Sequence, residues 1–344
     1  MQTLKNVGLV IIGRNEGDRL RRCLHSAIEQ TNHIVYVDSG STDGSLEMAE
    51  SLEVEVVNLD LSIPFTAARA RNEGFDRLLE LNQQIQYVQF VDGDCEIFPR
   101  WMATARQVLE AREDLAVVCG RRRERFPEAT IYNRLCDIEW DTPVGEATAC
   151  GGDAMMRVAA FTRVQGYNPN LIAGEEPELC VRLRRQGWKI RRIDADMTLH
   201  DAAMTKFSQW WKRSLRGGHA YAEGAWMHGN SPEKHWVKES KSIWLWGFIL
   251  PLMAFGGILF SKGWSLLLLL GYPLMAYKIY RYVKLRNYSP QDTVAYTMSC
   301  LVGKFPQAQG QIQFHLNRLF KRDICLIEYK NSTATIDNFK TINQ

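Results

Sequence analysis

The sequence predicts an α/β protein in which a mostly parallel sheet carries helices on both faces, followed by a membrane-embedded helical hairpin. Three observations predict it. Through the first 200 residues, short apolar runs of strand length alternate with segments of helical spacing. Polar clusters follow the strands, at the carboxyl ends where open α/β sheets bind their ligands. Near residue 240 the composition changes to two long uncharged runs.

The elements follow in chain order. Val7–Ile12 is a compact apolar strand, and Asp18–Gln30 has the helical spacing Leu20, Leu24, Ile28. His33–Val37 is the next strand and stops at the turn-rich stretch Asp38–Gly44. A helix over Ser45–Leu52, a strand over Glu55–Leu59, a helix over Ala67–Leu81 and a strand over Tyr87–Val91 complete the repeat. Four apolar strands separated by helices argue for a mostly parallel sheet covered by helices on both faces. Further on, a helix over Glu178–Gln186 and a strand-like segment, RRIDADMTLHD, lead to His200.

The hairpin is predicted over residues 242–280. Ser242–Ser261 is twenty residues without a charge, and after Lys262 come fifteen more, GWSLLLLLGYPLMAY. At about 1.5 Å per residue the first run is long enough to cross a bilayer. Lys234, Lys238 and Lys241 precede the pair and Lys278, Arg281, Lys284 and Arg286 follow it, which predicts both ends on the cytoplasmic side. The segment Lys206–Gly224 reads as a basic amphipathic helix lying on the membrane surface. The expected organisation is therefore a domain over 1–225, an anchoring region over 226–289, and cytoplasmic helices with a weakly structured tail over 290–344. The expected location is the inner (cytoplasmic) membrane, with residues 1–225 facing the cytoplasm.

Composition excludes several classes of function. The 344 residues are 46% hydrophobic, which excludes a disordered chain, and 42 Lys+Arg against 39 Asp+Glu give a formal charge of only +3. No basic motif marks a nucleic-acid surface, so no nucleic-acid partner is expected. The 8 cysteines contain no C-x-x-C pair, so their spacing announces neither a disulfide framework nor a structural zinc site. The start, MQTLKNVGLVIIG, has too short an apolar run for a signal peptide.

The strongest chemical signal is FVDGDCE, Phe90–Glu96. A buried strand ends in Asp92 and Asp94 around Gly93, and two carboxylates at a strand tip suit a divalent cation together with a diphosphate. VIIGRNEG sets Asn15 and Glu16 directly after the first strand. VDSGSTDGS sets Asp38 where it can accept hydrogen bonds from a base or ribose, whereas Asp43 suits a cap on the next helix. Of Arg69 and Arg71, Arg71 is the expected nucleotide contact and Arg69 reads as solvated surface. No G-x-G-x-x-G follows the first strand, so the dehydrogenase type of dinucleotide site is not expected.

These motifs, in this order, resemble the large family 2 of nucleotide-sugar glycosyltransferases, which have the GT-A fold. The resemblance runs from VIIGRNEG through VDSGSTDGS, ARNEG and FVDGDCE to ACGGDAMMR and GEEPELCVRLRRQGWKI, about residues 5–220. It implies a nucleotide-sugar donor bound by Asn15, Glu16, Asp38, Arg71, Asp92 and Asp153, and Mn2+ or Mg2+ held by Asp94 with His200. An imidazole ligand suits Mn2+ better. Where the family carries Glu-Asp, this chain has Glu175-Glu176. Glu176 stands at the family's catalytic aspartate, one methylene longer, and Glu175 is the alternative base. Glu178 has a bland reading as an i,i+4 partner of Arg182. The processive members carry Gln-x-x-Arg-Trp, but here Gln209-Trp-Trp-Lys-Arg213 lacks the tryptophan after the arginine. The resemblance thus implies inverting transfer of one sugar to a hydroxyl acceptor, a lipid-linked glycan in polysaccharide or cell-envelope assembly. A nucleotidyltransferase acting on sugar phosphates uses similar aspartates, and a non-enzymatic membrane scaffold is a third reading.

Overall fold

A computed structural model gives the fold and describes residues 4–321. The first part follows the predicted alternation: β1 (Val7–Gly13), α1 (Asp18–Ile28), β2 (Ile34–Asp38), α2 (Ser45–Ser51), β3 (Glu55–Asn58), α3 (Ala67–Leu81) and β4 (Tyr87–Asp92). Leu9, Val10 and Ile11 of β1 are fully buried. Burying such a side chain is worth about 1.5–3 kcal/mol. Leu20, Cys23, Leu24 and Ala27 make the buried stripe of α1 at helical spacing. Helix α3 lies close on the sheet because Gly74 faces it. A Cβ there would come within 2.5 Å of Val10 Cγ1 and 2.7 Å of Val37 Cγ2.

Past β4 the sheet changes character. β5 (Cys95–Ile97), α4 (Trp101–Ala111), β6 (Leu115–Glu124), α5 (Ile131–Glu139), β7 (Gly145–Ala147), β8 (Ala154–Arg157), α6 (Val158–Arg163), α7 (Glu175–Arg185) and β9 (Lys189–His200) follow. The order is β3-β2-β1-β4-β8-β6-β9-β5, with β7 also on β9. β1, β2, β3 and β4 pair parallel, as do β6 and β9, but β8 runs antiparallel between β4 and β6, and β5 and β7 run antiparallel to β9. The sheet is therefore mixed, where the sequence predicts a mostly parallel one. The departure lies in strands of three or four residues, too short to show a periodicity. It also builds the site: the β5–β9 register sets Cys95 opposite His200, so the residue after Asp94 faces the end of β9.

The described residues divide into two compact units, one of residues 4–129 and 136–202 and one of 130–135 and 203–321. The second unit is helical: α8 (Phe207–His228), α9 (Val237–Trp244), α10 (Leu250–Gly256), α11 (Gly271–Lys284), α12 (Pro290–Val302) and α13 (Lys304–Leu319). The expected weakly structured tail lies outside the described residues.

The membrane hairpin is not found. Among the described residues no helix is long and apolar enough to cross a membrane. The expected anchor, the membrane as a partner and the inner-membrane location are corrected accordingly. The apolar runs are interrupted. After α9 the chain takes a π-helical turn, Leu245–Ile249, before α10 starts, and Pro251, at the start of α10, has no N–H to bond back into the preceding turn. The second run opens as a 3-10 helix, Trp264–Leu270, and the helix that continues it, α11, carries Lys278, Arg281 and Lys284. Part of the apolar surface packs within the unit. A side chain at Gly247 would collide with the Lys304 backbone, and Trp246 meets Tyr272 edge-on at 5.6 Å. Leu252, Phe255, Leu259, Phe260 and Trp264 remain exposed. One face of the expected surface helix packs within the unit: Gly218 of α8 lies against the Gln307 backbone and Gly310 of α13 against that of Leu215.

Candidate active site

The site lies in the first unit, at the carboxyl ends of β1, β2, β4 and β9. Asp92 ends β4 and is 30% exposed at its side chain. Its Oδ1 accepts from Arg71 Nη2 at 2.7 Å and its Oδ2 from Arg122 Nη2 at 3.2 Å. Arg71, on α3, is buried, and its Nη1 donates to Glu175 Oε1 at 2.8 Å while its guanidinium lies over Tyr167. One guanidinium thus joins the aspartate motif to the first turn of α7. Burial pulls the Arg71 pKa down, but Asp92 and Glu175 outweigh it and the net shift is upward. Arg122 extends the network: its Nη2 lies 2.6 Å from Asp153 Oδ1 and its Nε donates to Oδ2 at 2.8 Å. Asp153 is fully buried, takes a further bond from Thr198 Oγ1 at 2.6 Å, and accepts from Asp92 N at 3.2 Å.

Asp94 and His200 converge from separate strands, with His200 Nε2 3.3 Å from Asp94 Oδ2. The other ring nitrogen, Nδ1, lies 3.4 Å from Glu124 Oε2, and the Glu124 carboxylate is itself fixed by the backbone N–H groups of Phe126 and Ala202. Trp140 stands edge-on to the imidazole at 4.8 Å. A carboxylate oxygen and an imidazole whose far nitrogen is held by a second carboxylate are the donor set of a divalent-cation site. These residues fit Mn2+ or Mg2+, with remaining positions for diphosphate oxygens. Bound there, the cation would offset charge on the leaving diphosphate.

The nucleoside-end residues are engaged with their own loops. Asp38 is buried; its Oδ1 accepts from Tyr36 Oη at 2.8 Å and its Oδ2 from the N–H groups of Gly40 and Ser41. Asn15, at positive φ, accepts from Thr42 N at 2.7 Å and donates its own N–H to Ser41 Oγ, stapling two strand-tip loops together. Glu16 pairs with Arg19 at 2.8 Å. Asp43 accepts from Ser45 N in a turn one residue before the N-cap of α2, which is Gly44 without a side-chain cap, so the expected cap is not formed by Asp43. Arg69 is not solvated surface: it is buried and donates to the carbonyls of Asp60, Ile63 and Pro64.

Helix α7 starts at Glu175, after Gly174 at φ 79, three residues before the predicted start. Glu175, Glu176 and Glu178 therefore crowd its first turn, where the helix dipole favours carboxylates. Glu178 is bound by Arg182, whose Nη2 lies 2.7 Å from its Oε2. Glu176 is buried, and its Oε1 accepts from Cys150 N at 2.5 Å, Cys150 Sγ at 2.9 Å and Cys180 Sγ at 3.0 Å. Burial, then the neighbouring sulfur, drives the Cys150 thiol well up; burial pushes the Cys180 thiol up to about 11. Arg122, Glu124, Trp140 and the two thiols escape the sequence reading. The basic run Arg121–Arg123 directly after the apolar strand residues Leu115–Gly120 is the one signal that points to Arg122.

Comparison with known proteins bears on this arrangement. Residues 9–161 match the family model of glycosyl transferase family 2, and residues 137–206 that of the N-terminal domain of galactosyltransferase. Glycosyltransferase AglE of Haloferax volcanii is 29% identical over 108 residues, 29% of this chain and 34% of that protein. Succinoglycan biosynthesis protein ExoA of Rhizobium meliloti is 29% identical over 172 residues, 47% of this chain and 51% of that protein. The matched region thus spans about a third to a half of the length of these relatives. The mannosyltransferase PcManGT of Pyrobaculum calidifontis, solved with GDP-Man and Mn2+, shares the fold at a TM-score of 0.58 and 16% identity, covering 91% of this chain and 88% of that one. Over residues 9–161 the chain is thus similar in sequence to glycosyl transferase family 2, and its fold is shared with a mannosyltransferase solved with a nucleotide sugar and Mn2+.

Proposed function

We propose that the enzyme transfers one sugar per encounter to a hydroxyl of a lipid-linked glycan in polysaccharide or cell-envelope assembly, with Glu176 as the general base. The observation that carries the reading is the Arg71 bridge, 2.7 Å to Asp92 and 2.8 Å to Glu175, which ties the donor-side aspartate to the turn bearing Glu176. Glu175 is committed to that arginine, which makes it a poor base. Glu176 differs: its hydrogen bonds all go to Oε1, and among the described residues none donates to Oε2. That oxygen is the one offered to an acceptor.

In this reading the acceptor oxygen attacks the anomeric carbon, its proton passes to Glu176 Oε2, and the bond to the nucleoside diphosphate breaks on the opposite face, inverting the centre. Asp94 and His200 hold the cation, Asp92 serves the ribose or sugar side, and Asn15, Glu16, Asp38 and Asp153 shape the nucleotide end. The relation to a succinoglycan biosynthesis protein supports a glycan acceptor. The sequence Gln209–Arg213, which lacks the tryptophan of the processive members, supports transfer of one sugar per encounter.

The test compares Glu176→Gln with Glu175→Gln. A general base contributes about 10²–10⁴-fold. Glu176→Gln should lose turnover on that scale at saturating donor and acceptor while donor affinity holds, and Glu175→Gln should lose less. The reverse order would move the base to Glu175.

A further inference from the structure

Two cysteines thirty positions apart meet on the carboxylate of Glu176. Cys150, in the loop before β8, is partly exposed, whereas Cys180 is buried one helical turn after Glu176 on α7. Their sulfurs lie 3.8 Å apart, and both point at the same glutamate oxygen. The three candidate ligand atoms all lie within 4.8 Å of one another. A tetrahedral zinc-type ion with Zn–S bonds of about 2.3 Å separates two sulfur ligands by about 3.8 Å. The sulfur spacing already matches, and a modest outward swing of the carboxylate completes three ligands. Two thiolates and a carboxylate select a thiophilic cation, unlike the carboxylate and imidazole of Asp94 and His200.

We propose that Cys150, Glu176 and Cys180 form a second metal site, separate from the Asp94–His200 site, that takes a thiophilic divalent cation of the zinc class and withdraws Glu176 from the acceptor when filled. On binding, two S–H protons pass to solvent, two sulfur–metal bonds and one oxygen–metal bond form, and water reaches the fourth position from the exposed side of Cys150. No electron is transferred. The site stands on geometry alone; its inhibitory consequence rests on the reading of Glu176 as the base.

Co2+ is the spectroscopic probe, added to the full chain and to the Asp94→Ala variant. The expected result is one equivalent of cobalt with a thiolate-to-cobalt charge-transfer band, retained in Asp94→Ala, displaced by Zn2+, and lost in Cys150→Ser and in Cys180→Ser. Zn2+ should also lower wild-type turnover at least tenfold without weakening donor binding. Absence of the band overturns the site, and so does a band that survives both serine variants, which would assign the thiolate elsewhere, Cys95 first. If a serine variant fails to fold by circular dichroism, X-ray absorption of the zinc-loaded wild-type chain decides: two sulfurs per zinc support the site, and one or none overturns it. A bound two-sulfur metal that leaves turnover intact supports the site and overturns Glu176 as the base.

Discussion

Replacing Arg71 with alanine should destabilise the first unit by about 3 kcal/mol, the low end of the cost of stripping one partner from a buried ion pair. The structure sets where in that range the value falls. Asp92 is 30% exposed and keeps its bond to Arg122, so it adds little. Glu175 is only 13% exposed at its side chain and loses its charged partner. The loss is therefore mostly one uncompensated buried carboxylate. Adding Glu175→Gln removes that charge and should restore about 1–2 kcal/mol, a coupling of the size seen for contacting pairs. Arg71→Lys keeps the charge but not the fork that spans two carboxylates, and should fall between wild type and alanine. Urea unfolding, with hydrogen exchange of α3, β4 and α7 to localise the effect, measures all of these. A loss under about 1 kcal/mol, or strict additivity in the double variant, would refute the bridge as a structural link.

Glu124→Gln should weaken Mn2+ binding about 10–100-fold by calorimetry, because the carboxylate that orients His200 becomes an amide; unchanged affinity would remove Glu124 from that task. In the second unit, burial raises Glu223 to about 7 and lowers its neighbour His219, 3.5 Å away, to about 4. Glu223 keeps its proton longer in the native state, so its contribution is present below its ordinary value near 4.5 and is lost as pH rises to about 7. His219 does the opposite: folding penalises its cation, so stability rises from about pH 4 to its ordinary value of 6.5. Each ramp is worth up to about 3 kcal/mol at 1.36 per pH unit, and they largely cancel. Glu223→Gln leaves the histidine ramp alone, so stability of the variant should climb between pH 4 and 6.5 while wild type stays nearly flat. A flat profile in both would contradict the assignment.

The sequence makes the first half of the sheet legible because each strand there is a closed apolar run ended by polar residues. Val7–Gly13, Ile34–Asp38 and Tyr87–Asp92 each run one residue beyond the expected carboxyl end, and only Ile34–Asp38 also starts one residue late. The antiparallel strands are another matter. Ala154–Arg157 and Cys95–Ile97 are too short to carry a pattern, and pairing direction follows from topology, which local sequence does not encode. The apolar runs after residue 240 mislead because composition reports the length of an uncharged stretch but not where its helix changes form, as at Leu245–Ile249. Within the site, Asp94 and His200 are legible through ordered motifs, and the structure brings them to 3.3 Å. Arg122, Glu124 and Trp140 are not: charged residues at a strand end read as solvated, and only the fold pairs Arg122 with Asp92 and Asp153, buries Glu124, and brings Trp140 against His200. The roles expected of Asp38 and Asp153 meet carboxylates already engaged in internal hydrogen bonds.

The central claim, metal-dependent transfer from a nucleotide sugar at the Asp94–His200 pair, is tested most directly by product analysis. The full chain and its Asp94→Ala variant are incubated with Mn2+ and a panel of UDP-, GDP- and dTDP-sugars, and the released nucleotide is identified. The account predicts slow release of a nucleoside diphosphate from one donor class by the wild-type chain, abolished by chelation and by Asp94→Ala with the fold intact. Release of inorganic pyrophosphate, or diphosphate release that Asp94→Ala leaves unchanged, would contradict it.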